Sequence, residues 1–270
     1  MRILVTGAQG NIGRGLAPLL EAEGYELVLT DLPDFDVRVE GALDAAAEGC
    51  DVLLHLPAWH GIHSGTRTES EFWRLNVDGT FNALQSAERA GIRRAVFLSS
   101  QSWHDHYGKY GFTKRVGEEL LEYHRHEHGL SYVAVRPGNL TPWGDDWPGE
   151  YGRGLLYGRV DRDDVLAAIV ASVRYAASHD GALVVDAVRA NPPQGFDGWE
   201  ADPLGTADAL YPGAREVVER FGLDISKRPA TTGSSGWAEL GYRPTRDFGS
   251  FVTEALGMPE AEARTLRCPY

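Results

Sequence analysis

Cysteine is nearly absent from this sequence: 270 residues contain two, Cys50 and Cys268, and neither has a second Cys or a His at the spacing of a zinc module. A disulfide framework is therefore not indicated. Positive charge is also scarce, with 26 basic against 39 acidic residues, a net charge of −13 and no basic run longer than pairs such as Arg93-Arg94. A phosphate backbone is held by clustered cations, so nonspecific nucleic-acid binding is not expected. No apolar run approaches the roughly 20 residues that span a bilayer. The first strand begins with Ile3-Leu4-Val5, which leaves no room ahead of it for a charged leader and apolar signal core, so a soluble, cytoplasmic protein is expected. What the chain does have is 43% hydrophobic residues, enough for one sizeable core or a large domain with a small appended lobe.

Short apolar strands alternate with helical patterns through the first half. Strands are expected at Arg2 to Val5, Glu26 to Thr30, Asp51 to Leu56, Ala95 to Ser99 and Ser131 to Val135. Helices are expected at about Ile12 to Glu23, Val39 to Glu48, Ser70 to Ala90 and Tyr110 to Glu127. Such alternation implies an α/β fold, a doubly wound parallel sheet of Rossmann type with helices on both faces. Residues 1–140 are read as a dinucleotide-binding domain. Residues 141–270 are read mainly as a small C-terminal substrate-binding lobe. Gly138 to Gly158 reads as ordered loop, and the proline- and glycine-rich Asn191 to Gly236 as a covering segment with one helix near Ala214 to Phe221. A helix at about Arg162 to Ala177 and a strand at Ala182 to Asp186 are expected to pack back onto the first domain, a return covering residues 160–188.

Between the first strand and helix lies Thr6-Gly7-Ala8-Gln9-Gly10-Asn11-Ile12-Gly13. Glycine permits the tight turn at Gly7, close backbone approach to a pyrophosphate at Gly10 and helix-strand packing at Gly13. The free N–H groups and the positive end of the helix dipole then face a diphosphate, with Gln9, Asn11 and Ile12 among the expected cofactor contacts. Asp31, at the end of the second strand, can accept hydrogen bonds from both ribose hydroxyls and would repel a 2′-phosphate, which favours NAD over NADP. A turn-capping aspartate is the plainer alternative.

Tyr110-Gly111-Phe112-Thr113-Lys114 places a phenol and an ammonium at i and i+4, on one face of a helix. An adjacent ammonium, together with cofactor charge, lowers a phenol pKa, so that tyrosine can exchange a proton with a substrate hydroxyl or carbonyl. Together with the glycine turn and the strand Val96-Phe97-Leu98-Ser99-Ser100, this motif resembles the extended short-chain dehydrogenase/reductase family, of the sugar-modifying NAD-dependent epimerase/dehydratase type. The resemblance implies NAD as cofactor, with Tyr110 and Lys114 as catalytic and cofactor-contacting residues. It also implies a serine that hydrogen-bonds the reacting oxygen; register selects Ser100, with Ser99 as fallback and as a cofactor contact.

Further segments match the family residue by residue. Asp36-Val37 resembles the pair that contacts adenine, and Leu56-Pro57-Ala58 the loop along the cofactor. Asn76 resembles the helix asparagine that orders active-site water and backbone, and the Arg136-Pro137-Gly138-Asn139 turn is similar to the one beside the nicotinamide, giving Pro137 and Asn139 as contacts. Leu240-Gly241-Tyr242-Arg243-Pro244 resembles the ending of extended members. Relatives often dimerise through two helices, for which those near 70–90 and 110–127 would serve, so a homodimer is possible. One departure stands out. Only ten positions separate Ser100 from Tyr110, where the family usually has about two dozen, so the loop that walls one side of the substrate pocket is missing.

Trp59-His60-Gly61-Ile62-His63 and Trp103-His104-Asp105-His106-Tyr107 follow the third and fourth strands of the expected sheet and should reach its carboxyl end, where ligands bind in this architecture. Trp59, His60, Ser100, Gln101, Trp103, His104 and Asn139 are the expected substrate contacts, with indoles stacking on sugar C–H groups. A metal held by His60, His63, His104, His106 and Asp105 is the sharper alternative, although the family reaction uses none. His124, His126 and His128 read most simply as dipole partners at a helix C-terminus. Arg136, Arg153 and Arg215 are candidate partners for a diphosphate. The leading reading is hydride transfer on a sugar or nucleotide-sugar, with epimerase, dehydratase and small-sugar or sugar-acid dehydrogenase outcomes open. A non-catalytic dinucleotide sensor is the second class.

Overall fold

The computed structural model describes residues 1–104, 108–140, 146–190 and 195–267. The chain divides into two compact units: residues 1–136, 166–186 and 235–242 form the first, and 137–165, 187–234 and 243–270 the second.

In the first half, strands β1 (Arg2–Thr6), β2 (Glu26–Thr30), β3 (Val52–His55), β4 (Arg94–Leu98) and β5 (Ser131–Pro137) alternate with helices α1 (Asn11–Ala22), α2 (Asp44–Ala47), α3 (Glu69–Trp73), α4 (Gly79–Arg89) and α5 (Lys109–His128). Next come β6 (Asn139–Leu140), α6 (Arg153–Leu156), β7 (Arg159–Val160), α7 (Arg162–Ala176) and β8 (Ala182–Ala187). Helices α8 (Pro203–Leu210), α9 (Ala214–Phe221), α10 (Trp237–Leu240), α11 (Phe248–Leu256) and α12 (Glu260–Thr265) complete the chain.

The main sheet has the order β2-β1-β3-β4-β5-β8. Its pairings β1 with β2, β1 with β3, β3 with β4 and β4 with β5 are parallel, as the α/β alternation implied. Strands of a parallel sheet covered on both faces must be apolar throughout. Val52 to His55 and the middle of β4 are accordingly buried residue after residue. One core cluster joins Leu4, Leu53, Phe97 and Ala134 of these strands with Ala83, Leu84 and Ala87 of α4 and Leu121 of α5.

The strand reversal in the order β2-β1-β3 opens a crevice at the carboxyl ends of β1 and β3, the general ligand position in such sheets. The seating of α5 fixes the other half of that edge. Gly117 lies so close to β4 that a Cβ there would meet the Phe97 ring at 2.6 Å. Gly129, at φ +68°, then ends α5 in a left-handed cap, with its N–H donating to the Arg125 carbonyl.

Three expectations need correction. The helix expected at Val39 to Glu48 is reduced to the four residues of α2, because Gly41 takes φ +75° and the backbone turns there before helix can propagate. The stretch expected as loop after Gly138 contains a π-helical turn at Trp147–Gly152 leading into α6. Asp146 caps it by accepting from Gly149 N–H at 2.6 Å, and Trp147 and Tyr151 are buried in the second unit's core with Trp199, Phe248 and Phe251. The covering segment has a second helix, α8, started by an Asp202 cap and Pro203 at its first turn. Residues 141–145 and 191–194 of those segments lie outside the described residues.

Replacing Gly117 by Ala tests the seat of α5. Alanine favours helix by about 0.5–1 kcal/mol, whereas overpacking a fixed core ring costs about 1–3 kcal/mol. The clash should win, lowering the urea midpoint; an unchanged or raised midpoint would mean that α5 does not rest on Phe97.

Candidate active site

The glycine turn fits a dinucleotide diphosphate on steric grounds. Gly7 adopts φ +74°, and a Cβ on it would lie 2.9 Å from Pro57 N; on Gly13 it would lie 2.5 Å from the Gly7 carbonyl oxygen. Gly10 precedes α1 in an extended conformation with no side-chain cap, so the first N–H groups of the helix are not taken by a capping residue. Asp31 sits beside the turn, its Oδ2 accepting from Gln9 N–H at 2.8 Å and its Oδ1 from Leu32 N–H at 2.7 Å. Asp36 and Arg38 form a two-pronged ion pair, at 2.8 Å from Nε to Oδ1 and 2.7 Å from Nη2 to Oδ2. Arg38 is thus engaged by its own carboxylate, and the Asp36 carboxylate has that guanidinium as partner. Val37 packs under α4, within 2.9 Å of a Cβ built on Gly79.

At the end of β4 the two serines diverge. The Ser100 hydroxyl lies near enough to the Tyr110 phenol to draw its pKa down and accepts from Ser102 N–H at 3.0 Å. Ser99 instead donates to Glu118, which also takes a two-pronged ion pair from Arg136, at 2.9 Å from Nε and 2.6 Å from Nη2. The hydroxyl of Ser99 is thus committed to Glu118. Lys114 is fully buried one turn beyond Tyr110, its Nζ donating to the Leu98 carbonyl at 2.6 Å and lying 5.0 Å from the Phe97 ring centre.

In the chain without its cofactor, burial dominates the electrostatics of the pair. Burial pushes the Tyr110 phenol up to about 12, and the Ser100 hydroxyl only partly offsets this. Burial also pushes the Lys114 ammonium down to about 7 against the pull of the Glu118 carboxylate. At 6.0 Å from the Tyr110 ring centre, Lys114 does not by itself hold the phenol low. Desolvation outweighs the pair attraction here.

Asn76 ties these parts together from a π-helical turn at Arg74–Asp78 between α3 and α4. Its Oδ1 accepts from Trp59 N–H at 2.7 Å, while its Nδ2 donates to the Trp59 carbonyl at 3.0 Å and to Thr113 at 2.9 Å. One side chain thereby holds the loop after β3 against the helix that carries Tyr110 and Lys114. That loop sets the His60 ring against Tyr110, with ring centres 4.7 Å apart. Burial holds the His60 imidazole below its usual value, helped by Lys114 and His63. Arg67 covers the Trp59 ring at 4.2 Å.

Other predicted residues fall in different places. The Gln101 amide nitrogen bonds the Arg136 carbonyl at 3.1 Å and Asp186 at 2.6 Å, so it braces strands rather than standing free. Trp103 stacks under the Arg136 guanidinium at 4.1 Å, with Arg115 at 5.2 Å and His104 edge-on. Arg136, a candidate for a diphosphate, is instead paired with Glu118, and Arg215 is half-exposed within reach of Glu219. Arg153 lines a cavity of about 320 Å³ in the second unit with Arg159 and Lys227. Leu56 is buried beneath the glycine turn, its N–H donating to the Thr6 carbonyl. Ala58 is half-buried. Pro137 ends β5, and Asn139 is exposed in β6, which pairs with β7. Asp105, His106 and Tyr107 lie outside the described residues; among those described, His60, His63 and His104 form no ligand cluster. Glu118 was missed by sequence reasoning. Its signal was spacing, since Tyr110, Lys114 and Glu118 recur at four-residue intervals along one face of α5.

A family model described as the NAD-dependent epimerase/dehydratase family matches residues 3–145. An uncharacterized sugar epimerase of Bacillus subtilis is 26% identical, covering 64% of this chain and 88% of that protein. An L-arabinose 1-dehydrogenase (NAD(P)(+)) of Haloferax volcanii is 30% identical, covering 52% of this chain and 67% of that protein. In fold, the chain is similar to a short-chain dehydrogenase/reductase superfamily protein from Agrobacterium tumefaciens solved with bound NAD, with TM-score 0.64, 20% identity, and 98% and 97% of the two chains covered.

The buried ammonium has a pH signature. Lys114 is depressed to about 7 when folded, against the ordinary lysine value of 10.5, so between those values the unfolded chain binds the extra proton and stability rises with pH. From pH 7 to 9 the wild type should gain about 2 kcal/mol relative to Lys114→Met, read as the difference in urea unfolding. Parallel pH profiles for the two proteins would show that Lys114 stays charged when folded.

Proposed function

Because the chain belongs to the NAD-dependent epimerase/dehydratase family, we propose that it transfers hydride between NAD and a hydroxyl-bearing carbon of a sugar or nucleotide-sugar. It is an NAD-dependent enzyme of the short-chain dehydrogenase/reductase type. The observation that carries the reading is the convergence of three buried side chains at one strand end, Ser100 beside the Tyr110 phenol and Lys114 one helical turn on with its Nζ on the Leu98 carbonyl.

In this reading Gly7, Gln9, Gly10, Asn11, Ile12 and Gly13 cradle the diphosphate and Asp31 takes the ribose hydroxyls. Arg38, occupied by Asp36, is not offered to a 2′-phosphate, which supports NAD. Val37, Leu56, Pro57 and Ala58 form the surface along the adenosine and diphosphate. Bound NAD supplies the hydride acceptor and a positive ring.

Ser100 holds the reacting oxygen of the sugar, and Tyr110 takes its proton as the carbon–hydrogen bond is oxidised. The phenol, high in the free chain, needs added positive charge to do so near neutral pH. Lys114 positions the ribose and supplies part of that charge once it is protonated. His60, against the Tyr110 ring, and Trp59 are placed to meet the sugar. The exposed rings of Phe81, Phe112 and Tyr123 on α4 and α5 support pairing of two copies.

A second reading, net oxidation of a small sugar or sugar acid, is favoured by the short connection between Ser100 and Tyr110 and by the dehydrogenase relative. An epimerase or dehydratase returns the hydride to the rearranged intermediate, whereas a dehydrogenase releases NADH. Purified protein incubated with NAD and a panel of free sugars, uronic acids and UDP- or dTDP-sugars should change at least one sugar. NADH accumulation at 340 nm identifies the dehydrogenase, and a changed sugar without NADH the epimerase or dehydratase. Tyr110→Phe should lower turnover by about 10²–10⁴ while NAD still binds. No altered sugar across the panel, or full activity in Tyr110→Phe, would overturn the reading.

A further inference from the structure

Three groups remain outside the chemistry described so far. His124 and His128 occupy positions i and i+4 near the end of α5, so their imidazoles share one face. Glu88 comes from the last turn of α4. One donor atom from each lies within 4.8 Å of the other two. His128 Nδ1 is 2.9 Å from Glu88 Oε1, and the second Glu88 oxygen is met by Gln85 Nε2 at 3.3 Å. The Arg93 guanidinium fixes the backbone of the same corner by donating to the His128 carbonyl.

The unexplained atom is His124 Nε2. It is buried, has no hydrogen-bond partner among the described residues, and belongs to a side chain only 2% exposed. A buried imidazole nitrogen without a partner is an uncompensated loss of hydration. The walls around it are aromatic, with ring centres of Phe81 at 6.1 Å and Tyr123 at 5.4 Å from His124. His126 is not part of the group, since its Nε2 pairs with Glu122 at 2.9 Å.

We propose that Glu88, His124 and His128 form a binding site for a divalent transition cation of the zinc type, clamping α4 to α5. Two imidazoles and one carboxylate suit zinc, cobalt or nickel, whereas calcium and magnesium require oxygen ligands. Metal–donor bonds of about 2.0–2.2 Å set three donors roughly 3.3–3.5 Å from one another, so the Glu88–His128 pair, 2.9 Å apart without metal, opens slightly on binding. The site holds three protein ligands and leaves a fourth position to water. It lies fourteen residues along α5 from Tyr110, about 21 Å at 1.5 Å per residue, so its metal takes no part in hydride transfer. Its effect is on the stability of the helix pair.

The test is zinc titration of tag-free, chelator-treated full-length protein by calorimetry, with cobalt(II) absorption as the ligand-field readout. Wild type should bind one equivalent, raise its Tm by several degrees at saturating zinc, and show the cobalt spectrum of nitrogen and oxygen ligands. Glu88→Gln and His128→Gln change partly exposed side chains and so test the site without threatening the core. Each should weaken binding by about 10- to 100-fold with sugar turnover unchanged in the absence of zinc. The proposal is overturned if wild type binds no stoichiometric zinc or cobalt. It is equally overturned if both variants bind as tightly as wild type, which would assign the metal to other histidines.

Discussion

The burial of one ammonium sets the terms for the rest of the first unit. Lys114 is wholly removed from water, with the Leu98 carbonyl as its near acceptor and Glu118 as its distant counter-charge. A lone cation in such a place is expensive, and proteins usually neutralise it by shifting the pKa. That shift is what the Lys114 site shows. For Lys114 to reach the strand end at all, α5 must lie close on β4, and Gly117 against Phe97 is the residue that permits it. Glu118, one turn further, is held in turn by Ser99 and the Arg136 guanidinium. The position of Tyr110 is a consequence of this stack, since it rides the same helix one turn before Lys114.

A second polar chain supports the same edge from the other side. His55, buried at the end of β3, shares its ring nitrogens between Thr6 at 2.8 Å and Thr80 at 3.1 Å. Burial drives its pKa down to about 3, so it is a neutral strut rather than a charge. Thr80 also donates to the Asn76 carbonyl at 2.7 Å. The amide of Asn76 then fixes both the loop after β3 and Thr113 of α5. The glycine turn, the His60 loop and the Tyr110 helix are thereby joined through buried hydrogen bonds, each satisfied at both ends. Such networks favour a single arrangement because any partial version leaves buried polar atoms unpaired.

Much of this was legible in the sequence where one local rule dominates. The glycines of the turn, the apolar strands and the four-residue spacing of Tyr110 and Lys114 each follow from short-range geometry, and the strand and helix positions came out within a few residues. The failures have equally local causes. Gly41 broke a helix that composition favoured, and Asp146 with two burying aromatics made a helical turn where prolines and glycines suggested loop. Side-chain destinations were least legible, because they depend on partners distant in sequence. Gln101 and Arg136 looked like ligand contacts at the strand ends, yet they are used by Asp186 and Glu118, residues 85 and 18 positions away. Spacing places Tyr110 and Lys114 on one face, but only the fold shows how dry that face is and how much of the lowering is left to the cofactor's charge.

The central claim is that Tyr110 becomes a proton acceptor through charge brought by the cofactor, because the dry protein alone holds its phenol near 12. Phenolate absorbance as a function of pH, taken as the difference between wild type and Tyr110→Phe to isolate one of 11 tyrosines, measures this directly. Without NAD, no ionisation assignable to Tyr110 should appear below about pH 11, and with oxidised NAD bound it should appear at least about one unit lower. A Tyr110 that titrates at its ordinary value in the free protein, or that ignores the cofactor, would contradict the account.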